Sequence, residues 1–189
     1  MDKKVKALLE EKAFRWYLII NLLVFGILIA EFIFFEYGPL KIVRYLILVE
    51  ALFIIAWIDQ KEHIIHNKHL LILVGIRIAI LICEWVMYPM YGLSILTSSL
   101  TGLAIGFLIF GLCYLVARGG MGAGDVKLVA VLGFYLGSTA LMPVLILSVF
   151  ASAIYSIFKL IRKKTNLKAE IPFAPFVLIG TVVGIMLGV

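Results

Sequence analysis

Charge is scarce in this sequence. Asp, Glu, Lys and Arg make up 15% of its 189 residues and hydrophobic residues 64%, whereas about 25% of a soluble domain is charged. A soluble globule of this length has too little interior for that much apolar surface, so the chain is expected to be an integral membrane protein. Cysteine is scarcer still. Cys83 and Cys113 each lie inside an apolar run, and neither belongs to a CxxC pair, so neither a disulfide framework nor a zinc site is indicated. The sequence has no internal repeat and no linker that would divide it, which predicts a single membrane domain over residues 1–189. No small-residue cleavage site follows the first apolar run, so that run is expected to stay as a span.

The basic residues that are present sit beside apolar runs. The net charge is +6, with five of the 17 basic residues before Trp16 and five more from Lys159 to Lys168. This is the distribution of a cytoplasmic membrane surface and not of a nucleic-acid-binding face. Six runs approach the roughly 20 residues that cross a bilayer: 16–35, 40–58, 70–88, 97–117, 141–161 and 171–189. A seventh, 126–137, is apolar but would rise only about 18 Å as a helix. If it crosses, segments 1–15, 59–69, 118–127 and 159–170 share one face and carry fourteen of the 17 basic residues. The opposite turns, 36–40, 89–96 and 137–140, carry none. The positive-inside bias therefore predicts an all-α polytopic bundle of six to seven spans, with seven favoured and the N-terminus cytoplasmic. Lys41 and Arg44, at the outer end of the second run, and Arg77, within the third, stand outside that pattern.

Gly102xxxGly106, Gly133xxxGly137 and Gly180xxxGly184xxxGly188 have the spacing that lets helices approach closely in lipid. Four charged residues fall within the runs. Glu31 and Glu84 lie near outer ends, where a carboxylate can reach water, while Glu50 and Arg77 are nearer mid-span and are expected to pair with each other. His63, His66 and His69 recur every third residue, but that spacing drifts around a helix and no matching acid or thiol cluster accompanies it, so no metal is expected.

Two aspartates carry more information. Asp59 ends the second run, Asp125 opens the short one, and two crossings lie between them, so both fall at the cytoplasmic boundary. Facing carboxylates share a proton and split their pKa values. One can then deprotonate an attacking water while the other protonates a carbonyl oxygen. Gly119, Gly120, Gly122 and Gly124 leave the backbone before Asp125 open to a peptide, and a helix N-terminus there favours the anion. A phosphate loop is excluded by pattern, since GMGAGDVK is neither GxxxxGK[ST] nor a strand-borne GxGxxG.

The segment Gly122-Ala-Gly-Asp125-Val-Lys127 resembles the GxGD-x-K signature of type IV prepilin peptidases. Asp59 stands where that family has its other aspartate, and Asn67 matches its following Pro-Asn pair, although His66 replaces the Pro. Ile171-Pro-Phe-Ala-Pro-Phe176, followed by Gly180, is similar to the family's closing motif. The resemblance spans roughly residues 50–185. It implies an intramembrane aspartic endopeptidase, without cofactor or metal, that removes short basic leaders from prepilin-like substrates at the cytoplasmic face. Catalysis would fall to Asp59 and Asp125. Gly122, Gly124 and Lys127 would support them, with Lys127 steadying the dyad or meeting an acidic substrate side chain. The implied partners are a prepilin-like peptide with a hydrophobic helix and the lipid bilayer, with no nucleic acid. Larger members also have a four-cysteine zinc region and methylate the new N-terminus, so peptidase activity alone is expected here, as in short pilus-type or preflagellin peptidases. The alternatives are a non-catalytic scaffold of a pilus system and a small proton-coupled transporter built on Glu50, Arg77 and Glu84.

Overall fold

A computed structural model describes residues 12–117, 121–162 and 171–188. Gly119, Gly120 and most of the two basic clusters lie outside them. The described residues form six helices and no strand: α1 Lys12–Phe34, α2 Pro39–Glu62, α3 Asn67–Met87, α4 Pro89–Ala117, α5 Ala123–Ile161 and α6 Ala174–Met186. Proline starts several of them. Pro39 follows the extended Gly38, and Pro89 begins α4 right after α3 ends, because a proline needs no amide partner in a first turn and disfavours helix in the residue before it. Four helices are long and apolar enough to cross a bilayer, namely α1, α3, α4 and α5, and α6 is shorter. The chain is a multi-pass membrane protein.

The fifth helix is two rods. Its only non-helical residue is Gly137, at φ 80° and ψ 176°, and there the chain doubles back. A Cβ on Gly133 would come 3.0 Å from Leu141 Cδ2, eight residues on, where a straight helix would have risen about 12 Å. The Tyr155 ring packs 5.3 Å from Phe176, two residues beyond Ala174, which bonds Asp59. A straight helix would carry Tyr155 about 45 Å from Asp125. The two arms, 123–136 and 138–161, make seven rods in all.

The short arm is the centre of the bundle. Residues 128–137 are all buried, and Val129, Leu132 and Tyr135 belong to the main core with residues of α2, α3 and α6. A rod enclosed by protein need not match the bilayer's thickness, which is how so short an apolar helix is accommodated. Glycine makes this packing possible. A Cβ on Gly102 would collide with the backbone oxygen of Gly133, and one on Gly106 would lie 2.7 Å from the Val129 oxygen. Gly180 and Gly184 are pressed against Ser148 and Val144 of the long arm in the same way. Gly188 departs from the expected stripe, with φ 83° and open space around it.

The mid-span charges pair differently from expectation. Glu50 accepts a hydrogen bond from Asn21 Nδ2 at 3.0 Å. Arg77 bonds Glu84, two turns along its own helix, at 2.8 Å. The expected Glu50–Arg77 pair is absent because Arg77, fully buried, faces the reversal, where Nε donates to the Phe134 carbonyl at 3.0 Å and Nη2 to Ser99 Oγ at 2.8 Å. A break in a buried helix frees carbonyls that need donors, and Arg77 supplies one.

Gly137 occupies a backbone region essentially closed to other residues, where a side chain costs about 1–3 kcal/mol. Gly137→Ala should lose that much stability plus a clash, since the new Cβ would sit 2.5 Å from Ser98 Oγ. Adding Ser98→Ala should return the steric part only. Denaturation of wild type and both variants in detergent checks this, and full recovery in the double variant would show that backbone strain is not what glycine relieves there.

Candidate active site

Asp59 lies in the last turn of α2, not in a loop. The helix continues to Glu62 and ends at His63, whose left-handed φ of 53° turns the chain away while its amide bonds the Asp59 carbonyl at 3.0 Å. The Asp59 side chain is buried, at 4% exposure, and Oδ2 accepts a hydrogen bond of 3.0 Å from the Ala174 amide. Ala174 is the first residue of α6, and the residue before it, Phe173, makes no side-chain cap. Asp59 therefore caps α6 from 115 residues away, and its carboxylate faces the positive end of that helix.

Asp125 lies in the first turn of α5. Its Oδ2 accepts the Gly122 amide at 3.2 Å, while its own amide bonds the Gly122 carbonyl at 3.1 Å. This reciprocal pair is the carboxylate half of a capping box. Gly122 itself is extended, at φ −76°, a conformation open to any residue. Gly124 has a different reason to be glycine, because a Cβ there would come within 3.0 Å of Ile65 Cβ. The turn after Asp59 thus packs directly on the turn before Asp125. The space above Gly124 is filled by Ile65, so the open backbone expected for a peptide is narrower at that residue.

Both aspartates lie outside the apolar runs 40–58 and 126–140, and the Asp59 charge reaches Asp125. Burial raises the pKa of Asp125 most, the Asp59 charge raises it further, and the Gly122 amide opposes them, leaving it at about 6. Burial also raises Asp59, and although the Ala174 amide, the His63 charge and the Phe173 amide pull it back, it stays above the ordinary carboxylate value. The site is asymmetric: Asp125 holds a proton more readily, and Asp59 is the better anion.

Lys127 Nζ bonds Asn67 Oδ1 at 3.1 Å, joining the first turns of α5 and α3. The histidines do not converge on the aspartates as a set. His66 approaches Glu62 at 3.7 Å, its ring lies 5.9 Å from that of His69, and its Nδ1 is buried without a partner. Phe173 stacks on Phe110 at 5.5 Å beside the Asp59 cap. Sequence reasoning missed the Ala174 amide and Ile65. Pro172 and Pro175 flanking Ala174 were the available signal for the first, since they mark a helix start whose amide needs an acceptor.

A family described as type IV leader peptidase matches residues 46–157, more than half of the chain. Three curated proteins called prepilin leader peptidase/N-methyltransferase are similar to it. That of Bacillus subtilis (strain 168) is 33% identical over 48% of this chain and 37% of its own length. That of Aeromonas salmonicida (strain A449) is 34% identical over 49% of this chain and 34% of its own. That of Aeromonas hydrophila is 32% identical over 51% and 35%. The matches thus span little more than a third of these relatives. No solved structure matches significantly.

Removing the Asp59 charge removes one of the two influences that raise Asp125. In Asp59→Asn, the Asp125 carboxyl should titrate below its value of about 6. Infrared difference titration of the carboxyl band in detergent checks this, and an unchanged midpoint would mean that the two groups are not coupled.

Proposed function

The chain belongs to the type IV leader peptidase family, and on that premise we propose that it is an intramembrane aspartic endopeptidase that cuts prepilin-like leaders at the cytoplasmic face. The observation that carries the reading is the pairing of two carboxyls with unlike proton affinities at one end of the bundle. Asp59, held as the anion by the α6 amides, takes a proton from a water molecule as that water attacks the scissile carbonyl. Asp125 gives its proton to the carbonyl oxygen, forming a neutral tetrahedral diol. As the diol collapses, the departing nitrogen takes a proton from Asp59, and Asp125 recovers its own from the diol hydroxyl. Both groups return to their starting states.

The cytoplasmic assignment rests on the basic segments that would share the face of the aspartates. A short basic leader followed by an apolar helix suits such a boundary, with the helix in lipid and the leader in water. Gly124 supports the dyad by letting the two turns approach, and Gly122 by the amide it donates to Asp125. Lys127 supports it by tying α5 to Asn67, and its charge remains available to an acidic substrate group. The transporter alternative loses its motive, because Glu50, Arg77 and Glu84 all have partners within the bundle.

Co-expression with a prepilin-like substrate in membranes tests the proposal. Wild type should cleave, and Asp59→Asn and Asp125→Asn should each reduce cleavage by at least about a thousandfold while inserting normally. Cleavage by either variant at the wild-type rate would remove the dyad. Activity also needs one shared proton, and deprotonation of Asp125 removes it. The alkaline limb of kcat/KM should therefore fall with a midpoint of about 6. A rate that stays flat well above that pH would overturn the assignment of Asp125 as the acid.

A further inference from the structure

Lys41 and Arg44 break the charge pattern of the sequence, and the structure brings both to one cavity. It has a volume of about 300 Å³ and lies at the end of the bundle opposite the aspartates. Its walls are the first turns of α2, with Lys41 and Arg44, the α4 residues Ser94 and Ser98, and the reversal at Gly137 and Thr139. That volume is at the lower end of small-ligand sites, about 300–1,000 Å³.

Among the described residues, no carboxylate lines this cavity. Glu84 is shared by two guanidinium groups, Arg77 at 2.8 Å and Arg44 at 3.0 Å. Lys41 has no carboxylate partner among the described residues and rests 4.1 Å above the Tyr37 ring. Arg44 is only 13% exposed, and its Nε is buried with no hydrogen-bond partner. A buried guanidinium N–H left unmatched beside an unpaired ammonium is costly in a low-dielectric setting. An oxyanion would satisfy both, and the hydroxyls of Ser94, Ser98 and Thr139 stand beside them to complete its shell.

We propose that this cavity is a binding site for a phosphate-type anion, namely the phosphodiester of an anionic lipid in the leaflet opposite the aspartates. The exposed side chain of Met142, one turn deeper along the long arm than Thr139, gives the acyl chains an apolar surface beside the headgroup. A free phosphate would use the same donors, so the test separates the two sources.

The protein is reconstituted in nanodiscs of phosphatidylcholine, alone or mixed with phosphatidylglycerol, and retained lipid is counted by native mass spectrometry. Wild type should retain phosphatidylglycerol saturably, at one molecule per chain, in preference to phosphatidylcholine. Lys41→Gln removes an ammonium that has no ion pair and should weaken retention about tenfold, the loss of one charged contact. Leader cleavage by that variant should be unchanged. Arg44→Lys, which keeps the charge but loses the Nε–H edge, should weaken retention similarly. In phosphatidylcholine alone, saturable stabilisation by inorganic phosphate that Lys41→Gln abolishes supports the anion site with a free anion as its source. Equal retention of both lipids with no effect of phosphate overturns the site, as does Lys41→Gln binding phosphatidylglycerol as wild type does.

Discussion

The hydrogen bond from Arg77 to the Phe134 carbonyl is small, but the architecture turns on it. A helix that ends within the membrane leaves carbonyls that neither lipid nor neighbouring apolar side chains can satisfy. Gly137 supplies the backbone angles for the reversal, and Arg77 supplies a donor at the freed end, held by Glu84 and Ser99. Because the chain can turn there, the long arm returns to the starting end and delivers α6 beside α2. Without the reversal, the Ala174 amide would have no route to Asp59.

The Asp59 cap then joins three parts of the chain. Its backbone carbonyl accepts the closing amide of α2, its carboxylate satisfies the first amide of α6, and its charge acts on Asp125 at the start of α5. One side chain thus has a structural task and, in the proposed reaction, a chemical one. The two tasks reinforce each other, since the amide that needs an acceptor is also what favours the anion. Asp125 is raised first by burial and then by the charge of Asp59, with only the Gly122 amide opposing them, so the proton goes to it. In the proposed reaction, this balance of burial, charge and backbone donors is what separates the acid from the base.

Much of this is legible in the sequence, and the limits have physical causes. The apolar runs announce the rods, and the charge bias around 126–140 by itself points to an extra reversal of the chain. The glycine spacing marks the tight α4–α5 contact, because only backbone can approach backbone so closely. Asp59 and Asp125 stand out through topology. The partner of Arg77 does not, because mid-span position says nothing about helix rotation. Glu84, seven residues on and thus on the same face, is the better clue. The Ala174 amide is hidden for a different reason, as a backbone donor carries no residue-type signature.

The two ends of the bundle are opposites, and the short central arm explains how they coexist. At one end lie two carboxyls, the charge of one raising the proton affinity of the other. At the other, two arginines share Glu84, and Lys41 lies near Arg44 over the Tyr37 ring. The arm between them, 123–136, begins with Asp125 and ends next to Phe134 and Gly137, so its N-terminus meets the acids and its C-terminus meets the cations. Each cluster sits at the helix end whose dipole favours it. A charge distribution that would be costly in an arbitrary membrane bundle is matched to this backbone, and the arm that carries it is buried throughout from residue 128 onward.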